Sequence, residues 1–209
     1  VRYYQGEVAF ALARLHNVVK ALGREPDPIW LAVAEQAALS IVERDSQVDD
    51  EDLLVDAWLL LGVAEMVSRN KKLLQHCARS IRVATSMQLH ETTPDQDKDR
   101  LGIFGSSTSG TATATKTEGM CSLYKLFAEK DPELAATILE TTILSTRFQL
   151  QIQFRPETAM YMDDPLRILG GFHGALNSFE LRNDYTQHHI GALLCMAKLV
   201  REHEVAWSQ

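Results

Sequence analysis

The chain reads as an all-α protein built from antiparallel helical hairpins. Three observations predict this. Apolar residues recur at the helical period along most of the length, helix-stop and helix-start residues punctuate those runs, and tight connections contrast with two long ones. Helices are expected at 6–22, 28–44, 52–69, 71–89, 115–130, 132–147 and 184–204.

The punctuation justifies each element in turn. Gly23 closes the first run, because glycine adopts the left-handed conformation that ends a helix. Pro26 and Pro28 bracket the second, where the ring's fixed φ suits a first turn. Asn70 separates the third from the fourth, and Asp131-Pro132 supplies an N-cap followed by proline at the first helical position. One segment departs from the pattern. Phe148-Gln149-Leu150-Gln151-Ile152-Gln153-Phe154-Arg155 alternates apolar and polar residues, which is strand period; it reads as a short β segment near 148–155, the favoured reading, or as the end of a helix whose pattern happens to alternate.

The links 90–114 and 148–183 exceed the roughly 12–15 residues that compact domains usually need, and such loops tend to carry function. In an up-and-down array, connections of one parity lie at one end. Both long links are therefore expected over the starts of the odd-numbered helices, within a single helical-hairpin domain or a fragment of a larger one.

Composition bounds the function. The 209 residues are 45% hydrophobic and 23% charged, ordinary for a globular protein, with a formal net charge of −7. That balance, with no Lys/Arg cluster, argues against nucleic acid or an anionic membrane as the main partner. Small molecules and saccharides remain, and a protein partner is compatible. Cys77, Cys121 and Cys195 are few, odd in number and set in apolar helical contexts, so reduced, buried thiols of a cytoplasmic protein are expected. With no CxxC or HxxxH spacing, neither a metal site nor a cofactor is expected. No apolar run approaches the ~20 residues of a membrane span, and no signal peptide is evident, although the sequence begins at Val1 without Met.

The odd-numbered helices share a small–apolar core: Ala11-Leu12-Ala13-Arg14-Leu15, Gly62-Val63-Ala64-Glu65-Met66, Ser122-Leu123-Tyr124-Lys125-Leu126 and Ala192-Leu193-Leu194-Cys195-Met196. Aligning them brings Glu7, Trp58, Glu118 and His188 to one level near the helix starts, with Asp56 and Asp184 slightly earlier. The even-numbered helices are Ala-rich instead, as in Trp30–Val42 and Leu73–Ala84, giving a hairpin repeat of about 50–65 residues. This repeat resembles the α/α-toroid class of six-hairpin glycosidases, N-acylglucosamine 2-epimerases and terpenoid cyclases. Tyr4-Gln5-Gly6-Glu7, Thr117-Glu118-Gly119, Gly170-Gly171-Phe172 and Asn183-Asp184-Tyr185-Thr186-Gln187-His188 add to the likeness. The resemblance covers most of the chain at the level of fold and implies inner helices converging on an axis. It transfers no catalytic residue, and a complete toroid has about twelve helices where seven are counted.

Each candidate residue has two readings. Glu7, Asp56, Glu118 and Asp184 occupy first turns, where a carboxylate gains about 0.3–1 kcal/mol from the helix dipole and needs no further role. Gathered at one cavity mouth, the same acids would raise one another's pKa and supply acid/base groups for glycosyl transfer or epimerisation. Glu118, Asp184, His188 and Glu7 are the catalytic candidates. Asp184 and His188 are spaced to meet on one helix face, as are Tyr185 and His189; a carboxylate on one imidazole nitrogen fixes the tautomer and leaves the other basic. Asp56, Trp58, Tyr185, His189, Arg155 and Phe172 are the candidates for substrate binding. Trp58 and Phe172 could stack on a sugar face or simply fill core, and Arg155 and Arg182 could clamp an anion or pair with the acids. Gly105–Thr111, without the ending of a P-loop, reads as a mobile flap or as plain disorder, and Gly170-Gly171-x-x-Gly174 is too short for a dinucleotide fingerprint. With no DxDD or DDxxD motif, and Asp163-Asp164 running into Pro165, isoprenoid chemistry is disfavoured.

The expectation is thus a carbohydrate-active or carbohydrate-binding toroid, leaning toward glycosidase- or epimerase-like chemistry. The alternative is a non-catalytic helical scaffold that offers Tyr161, Met162 and Phe172 to a protein partner.

Overall fold

A computed structural model describes residues 4–67, 70–92, 97–105 and 109–203. The fold is all-α with one small antiparallel hairpin. The helices are α1 (Tyr4–Ala21), α2 (Ile29–Asp45), α3 (Ala57–Met66), α4 (Lys71–Ser86), α5 (Gly110–Lys130), α6 (Pro132–Gln151), α7 (Pro156–Ala159), α8 (Pro165–Ile168) and α9 (Asn183–His203). The strands β1 (His173–Ala175) and β2 (Ser178–Leu181) pair with His173 opposite Leu181 and Ala175 opposite Ser178. Among the described residues, no helix is long and apolar enough to cross a membrane.

Contacts divide the chain into two compact units: residues 1–86 with 122–138, and residues 87–121 with 139–209. In the first, α1 packs on α2 and α3 through small residues. Ala9 and Ala13 are fully buried, and a Cβ at Gly62 would stand 3.0 Å from the Phe10 backbone nitrogen, so the glycine is what lets α3 approach α1. Ile41, Leu59, Leu60, Leu73, Cys77 and Ile81 fill the rest. Helix α3 is shorter than the periodicity predicts. The Asp56 carboxylate accepts from the backbone N–H groups of Trp58 and Leu59 at 3.0 and 3.2 Å, fixing the start at Ala57, and Val67 adopts a left-handed φ of 46° at the other end. The acidic run before it forms a single 3₁₀ turn, Asp50–Asp52.

In the second unit, Ile103, Phe148, Ile152 and Phe172 make the core, with Leu89, Leu176 and Leu193 packed against it. The alternating segment near 148–155 ends as helix rather than strand. Phe148 and Ile152 are also four residues apart, so one helical face buries both, and only Gln153 pairs in β fashion, with Phe172. The β structure lies instead within 173–181, in the second long link. That link also holds α7 and α8, each opened by proline. Gly102, at a φ of +94°, is held where a side chain would collide with the Leu144 carbonyl, so the first long link is packed against α6. Helix α5 starts five residues earlier than expected because the Ser109 hydroxyl caps the Ala112 N–H at 3.3 Å. Ser106–Thr108 of the expected flap lie outside the described residues.

Cysteine chemistry differs from expectation. Cys121 on α5 and Cys195 on α9 form a disulfide with their Cα atoms 6.3 Å apart, leaving Cys77 as the buried free thiol. Disulfides persist in oxidising surroundings, so the expectation of a reducing compartment loses its basis.

Candidate functional site

The second unit assembles the most chemistry, along the seam where α5 meets α9. His188 stands one turn into α9, and its Nδ1–H donates to Glu118 Oε2 at 3.3 Å, joining residues 70 positions apart in sequence. The side chains are 22% (Glu118) and 14% (His188) exposed, so the pair is shielded yet reachable. One turn further along α9, a side chain at Gly191 would collide with the Glu118 carboxyl; the glycine admits the carboxylate to the helix surface. Three residues after Glu118 and four after Gly191, the Cys121–Cys195 bond closes the same seam. A carboxylate that accepts from Nδ1–H sets the tautomer and makes Nε2 the basic nitrogen.

Behind this pair lies a buried, uncharged hydrogen-bond network. The Gln149 amide donates to the Thr117 hydroxyl at 3.0 Å and to the Ser145 carbonyl at 3.3 Å, which orients its oxygen toward His189. The His189 Nδ1–H donates to that oxygen at 3.0 Å, and its ring stacks on Phe172 with centroids 4.4 Å apart. Burial, reinforced by the neighbouring His188 and His173, drives the His189 pKa down to about 3, so the imidazole is neutral. Its Nε2 is buried without a hydrogen-bond partner and points toward Gly110. His173 is likewise depressed by burial, and its Nδ1–H donates to the Ala175 carbonyl at 2.6 Å. Burial also lowers the pKa of Lys116, in the second turn of α5, whose amine reaches the Ala112 carbonyl at 3.5 Å.

The start of α9 borders a cavity of about 650 Å³, lined by Arg167, Gly170, Gly171, Arg182, Thr186 and Gln187 among others. Here the expected pairings are replaced. Asp184 is engaged by Arg182, whose Nε donates to it at 3.0 Å, rather than by His188. Tyr185 donates to Glu180 at 3.2 Å and lies beneath the Arg182 guanidinium, so it does not pair with His189. Both differences have one cause. The spacing of four permits a contact within the helix, but partners from β2 and its exit, and from α5 and α6, approach more closely.

The remaining expected residues are placed as follows. Phe172, 1% exposed, is core rather than a stacking platform, and His189 is equally closed to a ligand. Arg155 precedes α7; its Nη2 donates to the Leu150 carbonyl at 2.8 Å. Glu7, Asp56 and Trp58 belong to the first unit. Glu7 is half-buried in the first turn of α1, Trp58 tilts against Phe10 at 5.7 Å, and Asp56 is a buried helix cap. Burial lifts the Asp56 pKa to about 6, its two backbone donors and Arg44 offsetting only part of the shift. Of the catalytic candidates, the structure therefore brings Glu118 and His188 together and gives Asp184 to an arginine.

Sequence reasoning missed Gln149, Thr117, Ser145 and Gly191. The threonine and serine looked like ordinary helix residues, and nothing local marks them. The cysteine pair did leave a signal: Cys121 follows Glu118 by three and Cys195 follows His188 by seven, both helical spacings. Among the described residues, no group of three or more His, Cys, Asp or Glu side chains could hold a metal ion. No family model, curated protein or solved structure matches the chain.

Proposed function

We propose that the chain is a carbohydrate-handling protein of the α/α-toroid kind, and that Glu118 and His188 form its acid/base pair. One observation supports this above the others: a half-buried carboxylate and imidazole, singled out from the helix repeat alone, meet at 3.3 Å across 70 residues of sequence. Glu118 holds the imidazole as the Nδ1–H tautomer and stabilises the imidazolium that forms when Nε2 takes a proton. The arrangement favours proton transfer, as in epimerisation, over glycoside hydrolysis. Hydrolysis needs two carboxylates about 5–9.5 Å apart, and Asp184, the other acid candidate in this unit, is committed to Arg182.

The test is a thermal-shift and turnover screen against mono- and oligosaccharides with the wild type, Glu118→Gln and His188→Ala. A ligand at 100 times its Kd raises stability by about 2.7 kcal/mol. The expected outcome is that both variants lose this response while their unliganded melting temperatures stay near the wild type's. If both variants are strongly destabilised, or still respond to the same sugar, the pair is structural.

A second reading has its own support. Met160, Tyr161, Leu166, Leu169 and Phe179 are exposed, Tyr161 and Leu166 to 80% and 86%, and all fall within 160–179. Large apolar side chains concentrated on a surface mark protein-binding sites. A protein partner lost on Leu166→Ser and Tyr161→Ser, with saccharide response absent throughout, would favour this scaffold reading.

A further inference from the structure

We infer that the Cys121–Cys195 disulfide is a redox latch on the Glu118–His188 pair, so that a dithiol reductant uncouples the two side chains. The inference rests on the reading of that pair as the working site.

The geometry is that of one seam. On α5, Glu118 and Cys121 are three residues apart and therefore on one face, about 4.5 Å apart along the axis at a rise of 1.5 Å per residue. On α9, His188, Gly191 and Cys195 follow at spacings of three and four, again one stripe. Glu118 meets His188 and lies against Gly191, and Cys121 is bonded to Cys195. Both helices advance in the same direction along these contacts, so the covalent bond fixes the axial register at which carboxylate and imidazole meet. Gly191 adds no side chain that could hold the register by packing. The crosslink is a covalent fastening of this seam, one to two turns from the pair.

The two sulfurs differ in access. Cys121 is 2% exposed, whereas Cys195 is only partly buried. A dithiol's thiolate attacks Cys195 Sγ, forming a mixed disulfide while the S–S bond breaks and Cys121 leaves as a thiolate that takes a proton. The reductant's second thiolate then displaces Cys195 as a thiol. The protein gains two electrons and two protons, and the dithiol becomes a cyclic disulfide. With the fastening gone, α5 and α9 can shift in register and separate Glu118 from His188.

The test uses the full chain with dithiothreitol as the reductant. Alkylation after unfolding, read by mass, should label Cys77 alone before reduction and all three cysteines afterwards. Three labelled thiols in untreated protein would overturn the proposal. The His188 Nδ1 resonance in ¹⁵N-labelled protein then reads the contact. In oxidised protein Glu118→Gln should move it; after reduction, and in Cys121→Ala/Cys195→Ala, that effect should disappear while the rest of the spectrum stays dispersed. An undiminished effect after reduction means that the disulfide does not position the pair. If the double variant fails to fold, reduced wild type supplies the measurement. A latch that works while Glu118→Gln and His188→Ala leave saccharide response unchanged would refute the functional reading and not the coupling.

Discussion

Asp56 and the buried histidines pull stability in opposite directions as pH changes. The Asp56 carboxyl has a folded pKa near 6 against an ordinary 3.8, so the folded state retains its proton longer than the unfolded chain does. Its contribution is therefore greatest at acid pH and declines as pH rises from about 4 to 6, by roughly 3 kcal/mol. His189, His76 and His173 are depressed below 6.5, mainly by burial, so the unfolded chain binds their protons more readily, and their contribution rises with pH up to about 6.5. The two trends partly cancel in the wild type. Asp56→Asn keeps an oxygen for the Trp58 and Leu59 N–H groups and removes the buried charge. Denaturation at several pH values should show it more stable than wild type at pH 7, with a steeper rise between pH 4 and 6.5. An unchanged profile would mean that Asp56 ionises without penalty. None of these shifts was legible beforehand. Sequence placed Asp56 at a helix start, but whether a capping carboxylate is solvated or enclosed depends on Gly6, 50 residues away, whose missing side chain leaves room for it.

Helices were the most legible level, because period and punctuation act over neighbouring residues. The start at Asp131-Pro132 follows from a side-chain cap that the sequence displays: Asp131 accepts from the Leu134 N–H at 3.1 Å. The alternating run at 148–155 was ambiguous for a physical reason. Phe148 and Ile152 satisfy both a two-residue and a four-residue period, and tertiary burial decided for the helix. Two predictions belong to this scale. Gly62→Ala adds a methyl group where α3 meets the α1 backbone, and overpacking of this kind costs about 1–3 kcal/mol even though alanine favours helix; chemical denaturation measures it. Opening the disulfide frees a loop of 74 residues, for which the chain-entropy relation gives a loss of about 4 kcal/mol. A melting curve in reductant that overlays the oxidised one would contradict that.

At the scale of the molecule, the sequence exposed the helical content but not where the long links would pack, since Gly102 against Leu144 and Gln153 against Phe172 are contacts between distant segments. The surface carries one further prediction. With a pI near 5.5, repulsion between chains vanishes close to that pH. The exposed apolar side chains of 160–179 then promote association. Light scattering should be greatest near pH 5.5 and lower at pH 8, and Leu166→Ser should reduce it without lowering the melting temperature. The Cys121–Cys195 bond has a topological consequence as well. It turns residues 121–195 into a covalent ring with two tails. A protease that cuts once inside the ring leaves a species that still migrates as one piece on a denaturing gel and falls into two only when thiol is added, whereas a cut in the first 120 residues releases a fragment at once. Nicking followed by paired gels thus maps which loops yield first, and does so without any knowledge of the ligand.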